Sequence, residues 1–337
     1  MVGGKVRWGI LGTANIAAEK VIPAMQGASN AIAQAVASRD GARAEMFAEQ
    51  HGVARALSSY ESLIEGSDVD AVYVCLPNAF HAEWVLKSLA CGKAVLCEKP
   101  MTVNSAEAIA VGEKAALVGR PVMEALMYRF HPQNVRSRAL IESGALGHVE
   151  EVRAHMCFRL LDSVGRENIR LQSAMGGGAL LDLGCYVVSA TRMAFGEEPT
   201  GGVAMWDWSP TFSVDVGLAG ALEYSERRYA PVSWSFRTGF GGGYTVVGSE
   251  ATLEVPRAFI PGSVGQVPET LLITVGRSSE RKEERFQATD QFVVMLEAFG
   301  RAVLGEEALL YDAEDHVRNM RAMELLRVAA GGSRESP

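Results

Sequence analysis

Positive charge is scarce in this chain: 32 Lys and Arg stand against 40 Asp and Glu, a net charge of −8. Such a chain lacks the electrostatic footprint of a nucleic-acid binder. Proline is sparse at 12 residues, and the 35 glycines follow no three-residue period, so collagen-like and low-complexity readings fall. The cysteines are few, odd in number and scattered (Cys75, Cys91, Cys97, Cys157, Cys185), with no C-x-x-C pair. They form neither a disulfide framework nor a zinc motif, and buried reduced thiols in a cytoplasmic protein are expected. No cluster of His, Cys and Asp has metal-ligand spacing, so no metal is expected. No stretch reaches the roughly 18 uninterrupted apolar residues of a membrane span. The first apolar run, Val6 to Leu11, ends at Gly12 rather than at a signal-peptide cleavage site. No membrane partner is expected.

What is present is the balance of an ordinary folded protein, 48% hydrophobic and 21% charged over 337 residues, a length that points to two domains. The first part alternates strand and helix patterns. Strands are expected at Val6 to Leu11, Ala31 to Ser38, Asp70 to Leu76, Ala94 to Cys97 and from Pro121 to Glu124, with helices between them. That alternation predicts a parallel sheet with right-handed crossovers, an α/β fold. The second part predicts helices over Gln133 to Ser143 and Ala179 to Phe195. Strands rich in Val, Trp, Tyr and Phe are expected at Val149 to Arg159, Thr200 to Trp208, Val214 to Tyr224, Val232 to Thr238 and Tyr244 to Glu254. This texture suggests a mostly antiparallel sheet with helices on one face. Two helices, near Asp290 to Leu304 and Ala313 to Ala329, close the chain, and the tail Gly331 to Pro337 is expected to fray. The boundary is expected near Glu124 to Tyr128, giving domains of 1–125 and 126–337.

Four segments carry candidate chemistry. Gly12-Thr13-Ala14-Asn15-Ile16-Ala17 ends the first strand and opens a helix, where a dinucleotide fold needs bare backbone for a pyrophosphate. Ala14 and Ala17 stand where the usual fingerprint has glycine, and a plain tight turn is the competing reading. Ser38 and Arg39 end the second strand. A hydroxyl and a guanidinium suit a ribose 2′-phosphate and favour NADP, whereas Asp40 would serve NAD. Glu98-Lys99-Pro100 ends the fourth strand, where Lys99 could stabilise an alkoxide or merely pair with Glu98. Leu76-Pro77-Asn78 and His81 form a similar polar strand end. In Gly176-Gly177-Gly178-Ala179-Leu180-Leu181-Asp182-Leu183-Gly184-Cys185-Tyr186, Asp182 and Tyr186 share a helix face at i and i+4. They are a carboxylate and a possible acid/base phenol, or equally an N-terminal Asp and a core Tyr.

Taken together with Met127-Tyr128-Arg129-Phe130-His131-Pro132-Gln133, these motifs resemble the Gfo/Idh/MocA (glucose–fructose oxidoreductase) family over about Val6 to Ala329. Within it, the chain is most similar to NADP-dependent D-xylose 1-dehydrogenases and trans-dihydrobenzenediol dehydrogenases, with sugar 3-ketoreductases close by. The resemblance implies an N-terminal Rossmann domain and a C-terminal α/β domain whose open-faced sheet forms homodimers or homotetramers. It implies Lys99 and Tyr186 as catalytic, Asp182 as the acid contacting substrate, and NADP(H) as cofactor. Gly12, Thr13, Ala14, Asn15, Ile16, Ser38, Arg39, Leu76, Pro77, Asn78, His81, Glu98 and Arg129 are expected on the cofactor. Phe130, His131, Asn168 and Arg170 are expected to line the substrate side.

The function these features predict is hydride transfer between NADP(H) and a sugar or polyol hydroxyl or ketone, with Lys99 and Tyr186 converging over the nicotinamide. The competing class is a non-catalytic NADP- or sugar-sensing regulator, since fold alone does not fix function. Such a protein has no need of Lys99, Asp182 and Tyr186 together. A sheet rich in Trp, Val and Phe (Trp206, Trp208, Trp234, Phe236) and covered on only one face is expected to leave a large apolar surface, through which the chain would associate.

Overall fold

In the computed structural model, residues 4–162, 164–165, 167–261 and 269–331 are described. All of the expected frayed tail except Gly331 lies outside them.

The chain divides into two units, Met1–Leu126 with Gln291–Val317, and Met127–Asp290 with Arg318–Pro337. The expected boundary had assigned everything beyond 125 to one domain. Gln291–Val317 departs from that because its helix Gln291–Leu304 packs against the first sheet. Phe299 lies 5.5 Å from the fully buried Trp8 ring, and Glu297 accepts from the Ser29 backbone N–H and hydroxyl at 2.9 and 2.8 Å. The division falls inside the helix Ala313–Ala329.

The first unit holds six strands: β1 (Val6–Leu11), β2 (Ala31–Ala37), β3 (Arg55–Leu57), β4 (Ala71–Val74), β5 (Ala94–Cys97) and β6 (Val122–Glu124). They run parallel in the order β3-β2-β1-β4-β5-β6. This is the doubly wound order, whose ligand crevice lies at the carboxyl ends of the strands where the order reverses, here around β1 and β4. β4 and β5 are buried throughout, so they read as continuous apolar runs rather than alternating ones. β3 was not expected, because three residues at a sheet edge leave no periodic signal.

The second unit holds β7 (Val149–Cys157), β8 (Gly201–Ser209), β9 (Val214–Glu223), β10 (Tyr229–Ser235), β11 (Gly241–Gly248), β12 (Ala251–Val255), β13 (Glu269–Gly276) and β14 (Arg281–Gln287). Their order is β14-β13-β12-β11-β7-β10-β9-β8, antiparallel except for the β7–β10 pair. The expected strand Tyr244 to Glu254 is a hairpin, because Ser249 and Glu250 turn between β11 and β12. The helix Cys185–Phe195 packs on β7 and β10.

The large side chains of this sheet divide between its two faces. Trp234 (1% exposed) and Phe236 (0%) lie on the buried side, since alternate residues of β10 face the helix. The other face of β8–β9–β10 carries Val203 (68% exposed), Met205 (74%) and Tyr229 (48%), while Trp208 is only partly exposed. Among the described residues, one segment, Ser173–Phe195, is long and apolar enough to cross a membrane, but 72% of its most apolar window is buried inside the fold. The thiols Cys75, Cys97 and Cys185 are buried, as expected, whereas Cys91 is exposed and Cys157 half-buried.

Candidate functional site

In the first unit, the site is built from strand ends. Gly12 follows β1 with φ +106°, a conformation that side chains rarely adopt. A Cβ there would lie 3.0 Å from Leu76 Cδ2 and 3.2 Å from the Cys75 carbonyl oxygen. The position therefore stays bare, and the turn fits a pyrophosphate lying against backbone. The Ala14 carbonyl accepts from the N–H groups of Ala17 and Ala18, and a π-helical turn, Ala17–Val21, follows. Thr13 and Ile16 are half-buried and Asn15 is exposed.

At the end of β2, Ser38 is buried and its hydroxyl accepts from the Asp40 N–H at 3.2 Å. The Asp40 carboxylate accepts from the Arg43 N–H at 3.1 Å, capping the helix Gly41–His51. Arg39 is exposed, and it lies close enough to Tyr60 to lower the phenol's pKa, although burial raises that pKa overall. Arg43, which the sequence reading missed, donates from Nη2 to the Thr13 carbonyl at 3.3 Å. A guanidinium six residues past the strand end, on the first helical turn, was the signal that could have found it.

At the end of β5, the Lys99–Pro100 peptide is cis. Glu98 accepts from the buried Tyr73 phenol at 2.6 Å and from the Lys99 N–H at 3.2 Å. Tyr73 is the second residue the sequence reading missed. Lys99 itself is half-buried. His81 is wholly buried, with Nδ1 2.8 Å from the Pro100 carbonyl and Nε2 2.7 Å from the Leu76 carbonyl. Burial pushes its pKa down, against those two carbonyls. His81 thus clamps the β4 and β5 strand-end loops together. Leu76, Pro77 and Asn78 are half-buried, and Asn78 opens a short turn before the helix His81–Ala90.

In the second unit, Asp182 and Tyr186 sit on one continuous helical segment, a π-helical turn Leu180–Gly184 running into Cys185–Phe195. Such π turns recur at functional sites. Asp182 Oδ2 accepts from Arg170 Nε at 2.9 Å, and the Arg170 side chain is 44% exposed. Asn168 accepts from the Arg170 N–H and shapes the turn that presents it. The Tyr186 phenol is buried (3% exposed) and donates to Met127 Sδ at 3.4 Å, in an aromatic cluster with Tyr128 and Phe259.

Arg129 is buried and donates from Nε and Nη2 to the Ser189 hydroxyl at 2.9 and 2.7 Å. Phe130 is half-buried. His131 is wholly buried, and its Nδ1 accepts from the Gln133 N–H at the start of the helix Pro132–Glu142. Burial pushes its pKa down to about 4, so the ring is neutral at pH 7. Its visible work is helix capping.

A dinucleotide turn on a 3-2-1-4-5-6 sheet, joined to a helix-backed antiparallel sheet, has close counterparts among known proteins. Residues 6–126 match the oxidoreductase family with an NAD-binding Rossmann fold, and residues 135–254 match the GFO/IDH/MocA C-terminal domain. The chain belongs to the GFO/IDH/MocA oxidoreductase family. It is 39% identical to D-xylose 1-dehydrogenase (NADP(+)) 2 of Haloferax volcanii, over 96% of this chain and 97% of that protein. It is 33% identical to trans-1,2-dihydrobenzene-1,2-diol dehydrogenase of Xenopus laevis, over 74% and 75%. A 3-ketoreductase from Actinomadura kijaniata, solved with NADP and TDP-benzene, superposes with a TM-score of 0.87 at 30% identity, covering 96% of this chain and 98% of that one. This GFO/IDH/MocA member is therefore an oxidoreductase, and its first unit is a nicotinamide-dinucleotide domain.

Proposed function

We propose that this oxidoreductase moves a hydride between NADP(H) and a hydroxyl or ketone of a sugar or sugar-like molecule. The nicotinamide supplies the hydride chemistry; the protein binds, orients and manages the proton. The Gly12 turn leaves the backbone bare for the pyrophosphate. Ser38, Arg39 and Arg43 read the 2′-phosphate. Asp40, the carboxylate that would serve NAD, is engaged as a helix cap.

The observation that carries the substrate reading is the Arg170–Asp182 pair on the segment that also bears Tyr186. It offers a guanidinium donor and a carboxylate acceptor for polyol hydroxyls about one helical turn from a phenol. In the direction of oxidation, Tyr186 takes the proton of the reacting hydroxyl, and Lys99 supplies the positive charge that a phenol needs to act as a base near neutral pH. Asp182 orients the substrate. In the direction of reduction the proton moves the other way. The names of the three relatives, a pentose dehydrogenase, a dihydrodiol dehydrogenase and a 3-ketoreductase, support a vicinal-hydroxyl substrate.

A second element of the proposal is self-association through the open face of β8–β9–β10, where Val203, Met205 and Tyr229 are exposed together. The catalytic reading is tested by following reduced-nicotinamide absorbance with NADP and a panel of aldoses and polyols. Failure to turn over any of them, with NADP binding intact, would favour a sensing role.

A further inference from the structure

Asp215 lies near the start of β9 and is almost fully buried (7% exposed). Its Oδ2 accepts from the Leu180 N–H at 2.6 Å, and the Ala179 N–H also points to the carboxylate. Its Oδ1 occupies the space over Gly178, where an added Cβ would sit 2.2 Å away. Gly178 has φ +115° and donates its N–H to the Arg170 carbonyl at 2.9 Å, while its own carbonyl accepts from the Asp182 N–H at 3.1 Å. Gly177 donates to the Gln172 carbonyl at 3.0 Å, and a Cβ on it would strike the Arg170 and Gln172 carbonyl oxygens. One carboxylate, from a strand with no other part in the site, is thus wedged into the turn that joins the Arg170 loop to the Asp182–Tyr186 segment.

Keeping a carboxylate here is costly. Burial pushes the Asp215 carboxyl up to about 7, against the lowering pull of the Leu180 and Ala179 N–H groups. Packing alone would be served as well by an apolar side chain at 215. What an apolar residue could not do is accept the first backbone N–H groups of the helical segment and fix its starting angle. We propose that Asp215 is a positioning residue for the reaction: by holding the Gly178–Leu180 turn, it sets the geometry in which Arg170, Asp182 and Tyr186 meet the substrate. This rests on the roles proposed above for Asp182 and Tyr186.

The test uses the full chain with NADP and the best substrate of the panel. Asp215→Asn keeps an acceptor oxygen and the side-chain shape but weakens the grip on two N–H groups. A misplacement of catalytic groups by a fraction of an ångström to an ångström predicts a fall in kcat of about 10–100-fold, with the dissociation constant for NADP changed less than about twofold. Residues that act through one another are non-additive, so in a Tyr186→Phe background the same substitution is expected to cost less than about threefold. A merely structural loss would be as large in both backgrounds, and that result would overturn the proposal. So would wild-type kcat in Asp215→Asn when Tyr186→Phe is impaired. Near-normal turnover of Tyr186→Phe alone would overturn the reading of Tyr186, and this inference with it. Asp215→Ala is expected to lose more than Asp215→Asn, and if it fails to fold, the Asn cycle stands by itself.

Discussion

Arg170 Nε donates to Asp182 Oδ2 at 2.9 Å across a turn in which Gly177 and Gly178 take no side chain. The pair is unequal: the Asp182 side chain is 10% exposed and that of Arg170 is 44% exposed. The carboxylate is held in the protein while the guanidinium is partly exposed. The buried Tyr186 phenol follows about one turn later on the same segment.

Cofactor choice tests the end of β2. Arg39→Ala is expected to weaken NADP binding by about 1–3 kcal/mol, the range of a lost charge-assisted contact, and NAD binding much less. Arg43→Ala is expected to act in the same direction. Fluorescence titration with both cofactors checks this, and equal losses for NADP and NAD would show that neither guanidinium reads the 2′-phosphate.

Proton transfer tests Tyr186 and Lys99. Tyr186→Phe is expected to lower kcat by roughly 10²–10⁴ with NADP affinity little changed, and Lys99→Ala to lower it similarly. The double variant should lose less than the product of the two. Steady-state kinetics decide the matter. His81 is poorly suited to take over, because both its ring nitrogens lie against backbone carbonyls and it is wholly buried.

Acid stability tests the Arg7–Asp70 pair. Burial raises the Asp70 carboxyl, but the Arg7 side chain and backbone N–H groups outweigh this and hold it at about 2, below its ordinary 3.8. A folded pKa below the unfolded one contributes stability that is fully present above the unfolded value and is lost as pH falls through the folded value. The window is therefore from about pH 4 down to about pH 2. Asp70→Asn is expected to be less stable than wild type by about 1–2 kcal/mol at pH 7, after allowance for solvent screening. That gap should close in urea melts taken stepwise to pH 2. A gap that stayed constant with pH would mean that the ion pair is not its cause.

Association tests the open sheet face. Light scattering at micromolar concentration is expected to give a mass above the 36.1 kDa of one chain. Met205→Glu, at a position 74% exposed in one chain, should shift the protein toward the monomer with little loss of unfolding free energy per chain. A monomeric wild type would remove this part of the proposal.

Much of this protein can be read locally. The burial of β4 and β5 makes them unbroken apolar runs, and the Gly12 turn and the helix that follows are contiguous in sequence, so fold class and dinucleotide turn are legible there. Glu98-Lys99-Pro100 and the triple glycine announce themselves for the same reason: their chemistry is packed into a few neighbouring residues. What only the folded chain decides involves partners far apart in sequence. β3 is a three-residue edge with no period to detect, and β14 (RKEERFQ) is too charged to look like a strand until β13 pairs with it. Which face Trp234 takes is decided only by the register of β10, which turns it toward the helix. Tyr73 reaches Glu98, Gln291–Leu304 returns to β1, and Asp215 reaches Leu180 across 35 positions. A lone Asp near the start of an apolar strand carries no local sign of its use. Hydrogen-bond partners are selected by the close approach of backbones, and that approach exists only after the sheet and helix have packed.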